Sequence, residues 1–242
     1  MDAQRRPRSS RVRRTLDRVG VLVPDERTLV VGLRRHRRAL CTGLAPHSPG
    51  LLLQPRDRGS APAILLAAQC IAHLDSTATV ATFPADHDVA EDRQLMIHVA
   101  DAADYVALYP ERIVLLAVEA TEADTQYGWI SPGWPLARIG ATTISGVGCF
   151  VDEPAPADAQ AYLETGALWN TFVMVARAAT LADIGRQHVP LVHERLAAAV
   201  PFIGTDWEPA VLRSTYATLP PASFSCAVLE RAAPRLAVSR VA

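Results

Sequence analysis

Runs of β-branched and aliphatic residues alternate with helical patterns through the first half of this chain, and that alternation constrains its fold more than any other feature. Arg27-Thr28-Leu29-Val30-Val31-Gly32 reads as a strand, residues 34–40 as a helix with one solvated face, and Leu51-Leu52-Leu53-Gln54 as a second strand. Ser60 is placed to cap a helix with Pro62 in its first turn, running to about His73. Thr77-Ala78-Thr79-Val80-Ala81-Thr82 is a short β-branched strand bounded by Asp75-Ser76 and Pro84. Leu95, Met96, Val99, Ala102, Ala103 and Val106 recur at helical spacing, opened by a capping box of Asp88 and Glu91. Residues 113–118 read as a buried strand. Strand followed by helix, repeated, predicts an α/β fold with a mostly parallel sheet and helices on its faces.

The second half has a different rhythm. Short strands are expected near residues 127–130, 137–139 and 147–151, so the sheet becomes mixed there. Pro154 and Pro156 precede a helix over residues 158–165, a strand follows over 170–175, and helices are expected from Ala178 onward. Residues 12–19 fit a short helix closed by Val21-Leu22-Val23-Pro24. Residues 1–14 are arginine-rich and expected to be disordered, and residues 15–242 form one domain. Its halves divide at about residue 120.

Composition narrows the function classes. The 242 residues are 50% hydrophobic with a formal charge of −1, which gives a real core and no global field drawing nucleic acid or membrane. No apolar run approaches the roughly 18–20 residues of a membrane span, and the basic N-terminus lacks the apolar stretch of a secretory signal. Cys41, Cys70, Cys149 and Cys226 are far apart, and are expected to be reduced and mostly buried, in a cytoplasmic protein. The chain contains no lysine, so no Schiff base and no compact phosphate-binding ammonium is available.

Phe83-Pro84-Ala85-Asp86-His87 ends the third strand with a carboxylate. The carboxyl end of a parallel strand is where α/β sheets place ligands, and one Asp can hold Mg²⁺ that bridges phosphate oxygens. From spacing alone Asp86 is equally a turn residue, with Asp88 capping the next helix.

The order of motifs resembles the sugar-1-phosphate nucleotidyltransferases, most of all the mannose-1-phosphate guanylyltransferases. Arg58-Gly59-Ser60-Ala61-Pro62-Ala63 is similar to their nucleotide-side loop and helix start, and the Asp86 segment to their metal-binding strand end. Tyr127-Gly128-Trp129-Ile130 and Trp169-Asn170-Thr171-Phe172 resemble their sugar-binding segments, and Phe150-Val151-Asp152-Glu153-Pro154 stands where they carry Phe-x-Glu-Lys-Pro. The resemblance covers the chain from about Arg14 and implies a Rossmann-like nucleotidyltransferase sheet. It implies transfer of GMP from GTP to mannose 1-phosphate, giving GDP-mannose and pyrophosphate, with Mg²⁺ as cofactor. Asp86 would hold the metal. Arg58, Gly59, Ser60 and Ala61 would lie along the nucleotide, and Tyr127, Gly128, Asp152, Asn170 and Thr171 around the sugar. Trp129, Trp169 and Phe172 read as packing residues.

The chain departs from that pattern in three places. It lacks the family's Gly-rich phosphate loop and the strand that carries it, Glu153 replaces a phosphate-binding lysine, and the terminal Trp-x-Asp-x-Gly segment is missing. Asp152 stands for Glu, and Asp57 for a frequent Asn. These departures leave a second reading beside the enzyme: a non-catalytic sugar-nucleotide-binding relative, a partner of an intact paralogue, or a gene fragment trimmed at both ends.

Overall fold

A computed structural model of the chain describes residues 10–85 and 92–241. Asp86, Asp88 and Glu91 lie outside the described residues. Ser10 accepts a hydrogen bond from the Arg13 amide and opens α1 (Arg11–Val19). Helix therefore begins one residue before the expected 12–19 segment and takes up the end of the arginine-rich stretch expected to be disordered. A Ser cap satisfying a first-turn amide makes the earlier start possible. β1 (Leu29–Leu33), a 3-10 turn over Arg34–His36, α2 (Arg37–Leu44) and β2 (Gly50–Gln54) follow. β1 and β2 pair in parallel, Leu29 opposite Gly50 and Leu33 opposite Gln54, as a separate two-stranded sheet.

α3 (Ser60–Leu74), β3 (Thr79–Thr82), α4 (Asp92–Leu108) and β4 (Ile113–Glu119) complete the alternating half. Beyond it lie β5 (Trp129–Ile139), β6 (Thr142–Val151), α5 (Pro156–Glu164), β7 (Leu168–Arg177), α6 (Ala178–His188), α7 (Pro190–Ala197), α8 (Glu208–Thr218), α9 (Phe224–Ala227) and β8 (Leu236–Arg240). β3, β7, β4, β8, β6 and β5 form a six-stranded sheet in that order, and the start of β5 also pairs with β7. The α/β class and the flanking helices are as the sequence suggests. Strand direction is more mixed: β4–β8 pair in parallel, while β7 runs antiparallel between β3 and β4. β3 and β4 therefore point the same way, as a strand–helix–strand unit requires, with a later strand slotted between them.

Three further elements differ from the sequence reading. β5 is one strand, because Pro132 and Pro135 sit at register shifts where a missing amide does no harm. β8 replaces an expected helical end: Leu236, Ala237, Val238 and Ser239 are buried between β4 and β6. Gly59, not Ser60, is the cap residue of α3.

β4 divides the core. Ile113, Leu115 and Ala117 pack into a cluster with Leu65, Leu66, Leu181, Leu196, Tyr216 and Phe224 from the helices on one face. Val114 and Leu116 pack with Leu95, Val99, Tyr105 and Val106 of α4 on the other. Period-two alternation thus feeds both layers, and each such aliphatic side chain buried contributes on the order of 1.5–3 kcal/mol. Of the cysteines, only Cys70 is half-buried, its thiol pushed up to about 11 by burial; Cys41, Cys149 and Cys226 are exposed. The expectation of mostly buried cysteines fails because each of these three sits on a solvated part of its element or loop.

Candidate functional site

β7 and the start of β5 build one end of the site. Trp129 is opposite Trp169, and the Asn170 amide donates to the Gly128 carbonyl at 2.8 Å. A Cβ on Gly128 would stand 3.0 Å from Asp152 Oδ1, 3.2 Å from the Phe150 ring and 3.4 Å from Asn170 Cβ. Glycine therefore holds open the space between the two polar side chains. Asn170 is 1% exposed; its Oδ1 accepts from the Phe172 amide, while its buried Nδ2 has no partner. An unpaired buried donor costs about 1–3 kcal/mol, and a hydroxyl oxygen is a group that would satisfy it.

Tyr127 stacks on Trp169 with ring centroids 4.5 Å apart, and Trp129 meets Trp169 edge-on. Thr171 is committed to the fold: its hydroxyl donates to the Leu116 carbonyl at 2.6 Å and accepts from the Val173 amide. It sits where the β4–β7 ladder slips by two residues, between the Leu115–Met174 and Ala117–Asn170 pairs, next to Phe172 at φ 59°.

Asp152 gains neighbours the sequence reading missed. Cys226 Sγ donates to its Oδ2 at 3.2 Å, and its own amide donates to Glu230 Oε1 at 2.9 Å. Burial raises the Asp152 carboxyl above its ordinary value, and the charges of Glu153 and Glu230 raise it further, against the opposing Cys226 hydrogen bond. Glu153 holds a left-handed backbone at φ 47°, uncommon for a residue other than glycine. Nothing local in the sequence could have paired residues 152 and 230; a short helix and a 3-10 turn bring them together.

The loop from Arg58 to Ala61 leaves the carboxyl end of β2 and is latched to the chain near residue 220. The Ala222 amide donates to Arg58 O, and the Ala61 amide donates to Ala222 O. Gly59 is at φ 83°, and a Cβ there would lie 2.4 Å from Ala222 O. Ser60 Oγ accepts from the Phe224 amide, and Arg58 donates to the Tyr216 and Ala217 carbonyls. These four residues fix the loop against the second half of the chain. Asp57 accepts from the Gly59 amide at 3.0 Å.

Asp86 is outside the described residues. Among the described residues no group of three or more His, Cys, Asp or Glu side chains is arranged to hold a metal ion. The residues on view therefore do not by themselves fit a Mg²⁺ site.

The family model described as nucleotidyl transferase matches residues 28–207. The xanthan biosynthesis protein XanB of Xanthomonas campestris pv. campestris strain B100 is 28% identical over 190 residues, which is 78% of this chain and 39% of that protein. The mannose-1-phosphate guanylyltransferase of Sinorhizobium fredii is 30% identical over 152 residues, 62% of this chain and 28% of its own length. A solved structure titled mannose-1-phosphate geranyltransferase, from Thermus thermophilus, superposes with a TM-score of 0.79 at 30% identity, covering 96% of this chain and 64% of that one. A mannose-6-phosphate isomerase from Helicobacter pylori shares the fold, with a TM-score of 0.78 at 19% identity, covering 96% of this chain and 88% of that one. The chain thus spans less than half the length of these two curated relatives. With the family model matching well over half of its residues, the chain belongs to the nucleotidyl transferase family.

Proposed function

We propose that this chain handles a sugar nucleotide in the manner of the mannose-1-phosphate guanylyltransferases, joining GMP from GTP to mannose 1-phosphate. In that reaction a phosphate oxygen of the sugar phosphate attacks the α-phosphorus in line, the bond to the β,γ-phosphates breaks, and pyrophosphate leaves. The attacking oxygen is already ionised, so positioning and charge neutralisation carry the rate rather than a general base.

The observation that supports this reading best is the orphaned Asn170 amide beside Gly128 and Asp152. It offers a buried donor, an open space and an acceptor to the hydroxyls of a sugar. Tyr127 would wall the pocket, and Thr171 would shape it through the slip in β7. The loop at Arg58, Gly59, Ser60 and Ala61 would lie along the nucleotide in the half before about residue 120. Asp86 is the residue the family pattern assigns to Mg²⁺, an ion that would neutralise phosphate charge when bound. Among the described residues no helix is long and apolar enough to cross a membrane, and a cytoplasmic setting is part of the proposal.

A second reading is binding without turnover. It is favoured by the three carboxylates of Asp152, Glu153 and Glu230 gathered where a sugar phosphate would arrive. Calorimetric titration with GDP-mannose, paired with a pyrophosphate-release assay, separates the two. Binding that falls by about tenfold or more in Asn170→Ala, with release from GTP and mannose 1-phosphate, supports the enzyme. Binding without release supports the second reading, and no binding by the folded chain defeats both.

A further inference from the structure

Two arginine pairs flank His36, one on the 3-10 turn after β1 and one at the start of α2. Arg34, Arg35, Arg37 and Arg38 are all exposed, and none pairs with a carboxylate among the described residues; Arg35 Nε instead meets His36 Nε2 at 3.2 Å. With Cys41 and Thr42 they line a shallow depression of about 610 Å³ that is open to solvent. The wider distribution of charge is lopsided as well. Twelve arginines but only four carboxylates fall in residues 1–50, although the whole chain carries −1.

The arrangement is unfavourable in the free protein. Four like charges crowd into five positions, and the first turn of α2 contains Arg37 and Arg38 with no acidic residue. Its place in the fold is informative. β1 and β2 run parallel with Leu33 opposite Gln54, so Arg34 and the Pro55-Arg56 segment leave neighbouring strand ends on the same side. That is the carboxyl end of parallel strands, the ligand-binding edge of α/β sheets. Arg56 is exposed there, two residues before the latched Arg58. In a chain without lysine, guanidinium forks are the available grip on phosphate, each able to take two oxygens at once.

We propose that Arg34, Arg35, Arg37 and Arg38, joined by Arg56, form a site for two or more linked phosphate groups, supplied by a nucleoside triphosphate or by free polyphosphate. It deepens the nucleotide reading of the adjoining Arg58–Ala61 loop and rests on that reading only for the choice of nucleotide as the source. The site places the cationic contribution to phosphate binding on the turn after β1, the start of α2 and the segment after β2.

The test is calorimetry on the full chain with GTP, GMP, inorganic tripolyphosphate and a short single-stranded RNA. The variants are Arg34→Glu/Arg35→Glu and Arg37→Glu/Arg38→Glu, with Arg213→Glu on the exposed side of α8 as control. Because charge reversal at four crowded positions could perturb the fold, glutamine versions of both pairs are run alongside, with thermal melts. GTP binding at least about tenfold tighter than GMP, lost by at least about tenfold in each pair variant and unchanged in the control, supports the site. Tripolyphosphate binding that follows the same variants, without GTP binding, keeps the arginine site and defeats the nucleotide reading. GTP binding that ignores both pairs overturns the arginine site and leaves the nucleotide reading standing. RNA bound more tightly than GTP overturns the proposal in favour of a nucleic-acid surface.

Discussion

Gly128 and Asp152 are separated in the structure by the width of a missing methyl group, so Gly128→Ala is the smallest change that tests the pocket. The new Cβ would press on the Asp152 carboxylate and the Phe150 ring rather than on backbone, so the fold can yield by moving side chains. The expected outcome is a stability loss of about 1–2 kcal/mol in a denaturant melt, with GDP-mannose affinity falling by about tenfold or more. Asp152 itself makes a pH prediction. Its carboxyl titrates above the ordinary 3.8 in the folded state, so the folded form takes up the proton first. Stability then falls as pH rises through that window and stays lower above it. Asp152→Asn is expected to flatten this decline and raise the melting temperature at neutral pH; an unchanged or lower melting temperature would show that the carboxylate is better compensated than its neighbours imply. At this scale short motifs singled out Gly128, Asp152 and Asn170, which the structure brings together and to which the proposal gives the sugar. Cys226 and Glu230 were not among them, since their contact with Asp152 spans more than seventy residues and arises only from the turn after α8.

Helix α4 is tied to the sheet by a buried polar group rather than by apolar contact alone. His98, 7% exposed, shares a hydrogen bond with Ser239 of β8 at 2.8 Å, while Thr142 at the start of β6 donates to Asp101 at 2.5 Å and approaches His98 at 3.4 Å. Gln94 lies one turn before it. Burial lowers the His98 pKa below its ordinary value of 6.5, against the attraction of Asp101. The unfolded chain therefore binds this proton more readily, and stability is full above pH 6.5 and declines as pH falls below it. Equilibrium unfolding of the wild type and His98→Gln across this range isolates the contribution. A difference between the two that does not vary with pH would exclude it. His47, whose pKa is raised by its hydrogen bonds to Asp17 and Asp25, acts in the opposite direction at the surface, so the comparison must be between variants rather than within one curve. Elements with clear periodicity, such as α3 and α4, were readable in the sequence. β8 was not: five residues of ordinary composition become a strand because a slot between β4 and β6 is open to them, and tertiary context decides. The short strands expected near 127–130 and 137–139 are one strand, β5, whose Pro132 and Pro135 are absorbed at register shifts that propensity alone does not anticipate.

At the scale of the molecule, the described residues form two sheets that share helical cover without joining. Among the described residues β1 and β2 form their own pair, and β3 has a neighbour only in β7. Open strand edges of this kind are templates for pairing with another chain. Light scattering after size exclusion is expected to show self-association that grows with concentration; a monodisperse monomer at high concentration would contradict it. The family-level fold was legible because the order of motifs survives in the chain, while direction and neighbours within the sheet were not, since no local signal says which later strand will enter beside an earlier one. That order of entry has a consequence for how the protein is made. β8 lies between β4 and β6, yet it comes from residues 236–240, so the sheet's middle stays vacant until the end of the described chain has left the ribosome. β4 and β6, synthesised earlier, wait with the flank that β8 will cover exposed, a state prone to aggregation and to chaperone capture. Translation of a chain stopped after Arg235 should accordingly yield protein that partitions into the insoluble fraction, whatever the quality of the elements already formed.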